Sequence, residues 1–166
     1  MPVDVVPATQ RIQALQALYA AMPPVAALQL RVDGFDGDAL SLVAPLAAHV
    51  NDKGCAFGGS LASLMTLAGW GLVTLRLQDE GIVAEVYVAD TQLHYRAPLF
   101  ADLQATARLA DPAAWAGLLA RLRERGRASI GVAACVTLPD GGIAAECGAR
   151  FVVVDTGYDR ARPATG

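Results

Sequence analysis

A chain of 166 residues, 54% hydrophobic and 17% charged, is long enough to bury one well-packed core and too short to assume two. Its formal net charge of -3 argues against a nucleic-acid surface, with Arg121, Arg123, Arg125 and Arg127 as the one basic cluster. Cys55, Cys135 and Cys147 are odd in number and lack C-x-x-C spacing, and His49 and His94 form no H-E-x-x-H, so neither a disulfide framework nor a metal catalyst is suggested. Reduced thiols and a start, MPVDVVPATQ, without a basic-then-apolar leader make a cytoplasmic protein the expectation.

Residues 1–7 are expected to form a flexible arm. Thr9 is placed to cap a helix in which Ile12, Leu15, Tyr19 and Met22 recur at helical spacing, and Pro23 and Pro24 end it. Leu28, Leu30 and Val32 alternate with polar residues, as do Leu40 and Leu42 around Ser41, with a turn between; this reads as a hairpin.

The stretch 51–79 organises the rest. Gly58 and Gly59 stand immediately before an apolar run over 61–75, broken by hydroxyls such as Ser63 and Thr66 and apolar on nearly every side, which predicts a buried helix. Roughly 22 residues at ~1.5 Å each make a rod of about 33 Å. A membrane span is disfavoured because the run is too short before Arg76 and holds Gly69 and Gly71. Those glycines each cost roughly 0.5 to 1 kcal/mol in a helix, so they imply close approach of sheet or a partner helix. At the helix start, bare N–H groups at the positive end of the dipole make a ready anion or oxyanion site.

Beyond the helix, 83–99 reads as strand with a change of apolar phase: Val86 and Val88 share one parity, Leu93 and Tyr95 the other. That predicts a bulge near Asp90. A strand over 103–109 follows, then a helix begun by Asp111 and Pro112, carrying Trp115, Leu118, Leu119 and Leu122, and stopped by Gly126. Two strands, 128–138 and 143–154, flank the turn Pro139-Asp140-Gly141-Gly142. A single α+β domain over 8–155 results, an antiparallel sheet curled around one long helix, with residues 156–166 as a flexible tail.

The segment from Asn51 through Gly54 to Phe57-Gly58-Gly59 resembles the hotdog-fold acyl-CoA thioesterases, whose motif places Asn, Gly and then His-Gly-Gly before the central helix. The chain is more closely similar to the thioesterase domain at the C-terminus of YiiD-type acetyltransferases. The matching segments are Phe57-Gly58-Gly59-Ser60-Leu61, the run 66–71 (TLAGWG), Tyr95-Arg96 before Pro98, and Gly126-Arg127. The resemblance spans 26–154. It implies a hotdog fold and a homodimer, with room for pairing into a homotetramer, in which two sheets join edge to edge and the thioester of coenzyme A or acyl carrier protein lies between subunits. It further implies that Gly58 and Gly59 present N–H groups to the thioester carbonyl, with coenzyme A entering as part of the substrate and no other cofactor.

Two departures stand out. Phe57 occupies the position of the motif His, and Thr66 occupies the helix position that usually holds an Asp or Glu acting from the other subunit. Thr66 orients water, or its hydroxyl bonds back to the preceding turn. Asn51 holds either the turn or the substrate carbonyl, and Asp90 is either a base or an ordinary bulge residue. Cys55 is a nucleophile or a small buried thiol. His49 and His94 read as ordinary surface or strand residues. Arg96, Arg121, Arg123, Arg125 and Arg127 bind the phosphates of coenzyme A or are solvated cations, four of them near a helix end. The leading function is acyl-thioester hydrolysis; the alternatives are a binding module without turnover and, last, a hydratase.

Overall fold

The computed structural model describes residues 6–158, so most of the expected arm (1–5) and tail (159–166) lie outside the described residues. Helix α1 (Ala8–Ala21) starts one residue before Thr9 and has no side-chain cap. Pro7, held extended, supplies the carbonyl that accepts the N–H groups of Gln10 and Arg11, which leaves Thr9 inside the first turn. Pro23 and Pro24 do end α1, and they open a short second helix, α2 (Pro23–Ala26), at positions where a missing N–H costs nothing. The hairpin follows as β1 (Arg31–Phe35) and β2 (Ala39–Ala44).

Next comes α3 (Gly58–Asp79), 22 residues long, then β3 (Ala84–Tyr95), β4 (Leu103–Leu109), α4 (Ala114–Arg125), β5 (Arg127–Thr137) and β6 (Ile143–Asp155). All six strands form one antiparallel sheet in the order β1-β2-β4-β5-β6-β3. Alternate residues of β4, β5 and β6 point at α3: Leu103, Ala105 and Ala107, then Ile130, Val132 and Ala134, then Cys147, Ala149 and Phe151 are buried. This alternation is the signature of a sheet with one face on a core and one in water.

The glycines of α3 have the packing reason that their cost demanded. A Cβ on Gly69 would stand 2.8 Å from the Phe151 ring and 3.2 Å from Val132. One on Gly71 would stand 2.7 Å from Leu40 and press on the Tyr19 hydroxyl. α3 is long and apolar enough to cross a membrane, yet 61% of that window is buried against the sheet and α1, the condition of a core helix.

The expected bulge is present, between Val88 and Asp90. Val88 pairs with Phe151 of the inner face, whereas Asp90 pairs with Arg150 of the outer face. At the other end of the sheet, α4 begins at Ala114 after Asp111 accepts the Ala113 N–H, and it ends at Gly126 with φ +68°. Its Trp115 donates to Glu80 at the C-terminus of α3 (3.2 Å), with Arg76 stacked 4.6 Å from the indole. Tyr158 closes this end by donating to the Glu124 carbonyl.

Candidate active site at the start of the central helix

The loop before α3 is tied down by its own residues. The Asn51 side-chain oxygen accepts the N–H groups of Lys53 (2.8 Å) and Cys55 (3.2 Å), and its amide donates to the Cys55 sulfur. Asn51 therefore holds the turn, and its polar atoms are spent within it. Cys55 is 6% exposed, a small buried thiol. Two further bonds fix where the loop enters the helix: the Ala56 N–H donates to the Leu99 carbonyl and the Phe57 N–H to the His49 carbonyl (2.7 Å).

His49 departs from its expectation as an ordinary surface or strand residue. It is buried, with Nε2 2.7 Å from the Leu28 carbonyl and Nδ1 2.8 Å from the Ser60 hydroxyl. A carbonyl can only accept, so Nε2 carries the proton, and in the neutral ring Nδ1 accepts from Ser60. One residue thus grips both sides of the glycine pair, through its carbonyl to Phe57 and its ring to Ser60. Nothing in the sequence spacing singled out this pair, because a separation of 11 positions is closed only by the loop.

Within that clamp, the Phe57 carbonyl accepts the N–H groups of Ser60 and Leu61. The N–H groups of Gly58 and Gly59 have no partner among the described residues. Gly58 lines a cleft of about 310 Å³ with Ala56, Leu61, Tyr95, Arg96 and Leu99. Tyr95 donates to the Gly58 carbonyl (3.1 Å), and its ring lies 3.4 Å from where a Gly58 Cβ would be. Phe57 is 56% exposed, and its ring lies against Gly59, leaving Gly58 as the glycine that faces the cleft. Two unpartnered donors at the positive end of a 22-residue helix suit a carboxylate, a phosphate oxygen or a developing oxyanion.

The remaining candidates separate. Thr66 lies half-buried on the open stripe of α3 with Ala62 and Trp70, about 12 Å along the helix from Gly58. Ser63 bonds back to the Gly59 carbonyl and Thr74 to the Trp70 carbonyl, but the Thr66 hydroxyl has no partner among the described residues. Asp90 is not brought to the turn. The bulge carries it to the outer face, where Arg150 Nε donates to its carboxylate at 2.8 Å, and five residues of strand, roughly 16 Å, separate it from Tyr95.

Arg96 lines the cleft and pairs with Glu146; hydrogen bonding from that guanidinium holds the Glu146 carboxyl below its ordinary range. Arg121, Arg123, Arg125 and Arg127 are exposed at the far end of the sheet. Arg127 pairs with Val154, and Val154 with Glu85, so this cluster stands beside the beginning of β3, while Gly58 stands beside its end. About 30 Å of sheet separates the two within one chain. Among the described residues no group of His, Cys, Asp and Glu could hold a metal ion.

An antiparallel sheet wrapped on one long helix is the hotdog fold of the thioesterase superfamily. A protein of unknown function from Chlorobaculum tepidum TLS is similar at TM-score 0.86 and 25% identity, over 93% of this chain and 100% of that one. A "putative thioesterase" from Shewanella oneidensis is similar at TM-score 0.78 and 26% identity, over 88% and 99%. A Pseudomonas aeruginosa protein described as "Probable Thioesterase" is similar at TM-score 0.73 and 25% identity, over 86% and 94%. The chain belongs to the family described as "Putative thioesterase (yiiD_Cterm)", which matches residues 12–155.

Proposed function

We propose that this protein is a cytoplasmic hydrolase of acyl thioesters, of coenzyme A or of acyl carrier protein, working as a homodimer. The observation that carries the reading is the pair of unpartnered N–H groups at Gly58 and Gly59, opening at Gly58 into a cleft. In the reaction, a water oxygen bonds to the thioester carbon and the carbonyl becomes an oxyanion held by those donors. The C–S bond then breaks, and the thiol leaves with one of the two water protons while the carboxylate product releases the other. Preorganised donors of this kind are worth roughly 10² to 10³ in rate each.

Thr66 is the proposed water-positioning group, acting from the partner subunit across the two-fold axis. Its unpaired hydroxyl on the open stripe of α3 supports that role. Asn51 acts indirectly, by holding the loop. Arg96, at the mouth of the cleft, is the proposed nearest contact for the phosphates.

One observation favours a second reading, an acyl-thioester binding module: the cleft is lined by Gly58, Tyr95, Arg96 and apolar residues, with no carboxylate or imidazole among them. A thiol-release assay across a panel of acyl-CoA esters, run beside thermal shifts with coenzyme A, separates the two. Release that is saturable and abolished by blocking the cleft establishes the hydrolase. Ligand-induced stabilisation without release establishes the binding module.

A further inference from the structure

The bulge in β3 decides where Tyr95 points. Before it the even residues of the strand take the side of the core, with Val86 opposite Val153 and Val88 opposite Phe151. Beyond it the odd residues take that side, with Leu93 opposite Cys147 and Tyr95 opposite Ala145. One extra residue therefore turns Tyr95 toward α3, and an unbroken strand would have sent the phenol to the outer face. The end of the strand is then pinned: the N–H groups of Arg96 and Ala97 both donate to the Ala144 carbonyl, at 2.8 and 3.1 Å. A side chain carried on a paired strand is held more closely in place than one on a loop.

The phenol meets the glycine turn from its carbonyl side. Tyr95 donates to the Gly58 carbonyl at 3.1 Å, and its Cε1 lies 3.4 Å from where a Gly58 Cβ would stand. The nitrogen of that same amide belongs to Gly59, one of the two unpartnered donors at the helix start. A hydrogen bond accepted at a carbonyl draws electron density from the amide nitrogen, which strengthens its N–H as a donor by about 10 to 30% per bond. It also fixes a direction. A peptide between two glycines has no Cβ on either side to limit its rotation, so an external partner sets the angle at which the N–H leaves the turn.

The same bond matters little to the fold. Tyr95 is 55% exposed, and its hydroxyl would find water if the carbonyl were withdrawn, so the net contribution to stability is small. We propose that Tyr95 is a positioning residue for thioester hydrolysis: its hydroxyl, keeping its proton throughout, orients and polarises the Gly58–Gly59 peptide so that the Gly59 N–H holds the developing oxyanion. This rests on the hydrolase reading and goes beyond it, because Tyr95 acts through the peptide and need not touch the reacting atoms. The gain falls on the transition state, where the substrate oxygen carries full charge, and hardly on the neutral thioester.

Tyr95→Phe keeps the ring against Gly58 and removes only the hydroxyl. In a thiol-release assay with an acyl-CoA ester that the wild type cleaves, kcat should fall about three- to tenfold at unchanged KM and unchanged melting temperature. Replacing Tyr95 alone by 3-fluorotyrosine, at a pH where that more acidic phenol stays protonated, should raise kcat above the wild type, since a stronger donor polarises the peptide further. A hydroxyl serving only as a strut would not respond to its acidity. Wild-type kcat in Tyr95→Phe overturns the proposal and leaves the hydrolase reading intact, as does a fluorotyrosine enzyme no faster than wild type. A Tyr95→Phe effect on KM alone overturns it too, by making the hydroxyl a ground-state contact. A wild-type protein that releases thiol from no ester overturns both.

Discussion

At the residue scale, Gly58 offers a way to delete a donor without disturbing a helix. It is the first residue of α3, where proline is favoured, and Phe57 before it already has the extended φ -64°, ψ 131° that a following proline requires. Gly58→Pro should lower kcat about 10²-fold or more with little change in melting temperature, read by thiol release and thermal melts. Retained activity would remove this N–H from the mechanism. Thr66→Ala should lower kcat roughly tenfold at unchanged KM, since it acts on the attacking water; a change in KM alone would make it a binding residue. Ser60→Ala leaves the buried His49 Nδ1 without its partner and should cost about 1 to 3 kcal/mol in chemical denaturation, with lower turnover from a loosened turn. An unchanged denaturation midpoint would show that the imidazole does not clamp the loop.

At the scale of the element, α3 is apolar on nearly all sides because the sheet and α1 surround it, with Trp115 of α4 meeting only its C-terminal end, leaving a narrow open stripe through Ala62, Thr66 and Trp70. Gly69 lies on the crowded side. Even a methyl there meets the Phe151 ring at 2.8 Å, so Gly69→Leu should destabilise by at least about 1 to 3 kcal/mol although leucine is the better helix former. A wild-type denaturation curve would mean that the helix can slide off the sheet at no cost. The element's N-terminus shows the reverse economy: Gly59 meets only the exposed ring of Phe57, and Gly58 only the Tyr95 side chain at ordinary contact distance. The same residue type serves close packing in mid-helix and donor exposure at the start.

For the whole molecule, the bare β3 edge and the stripe of α3 lie on one side, and a two-fold pair would cover both. Light scattering should report a dimer or an even multiple. Tyr87→Lys/Val88→Lys, which places charges along the edge, should yield a folded monomer with wild-type circular dichroism and no thioester hydrolysis. A monomeric wild-type protein that remains fully active would exclude any site shared between subunits.

By itself the sequence determined what is local. The order of the longer helices and the strands, the length of α3, the glycine turn at its start and the need for packing space at Gly69 and Gly71 all follow from periodicity and conformational cost within a few residues. The bulge at Asp90 was legible for the same reason, as a parity change between Val88 and Leu93. Tertiary structure decided everything that depends on which face or which end a residue reaches. Parity revealed the bulge but not that Asp90 would turn outward to Arg150, because that depends on the register with β6. The burial of His49 depends on a loop folding it beneath Ser60 and against Leu28, contacts 11 and 21 residues away in the chain. The arginines read as one set with Arg96, yet β3 and β5, both antiparallel to β6, run the same way: Arg96 follows the end of β3 while Arg127 opens β5, and that places the cluster at the opposite end of the sheet from the glycine turn.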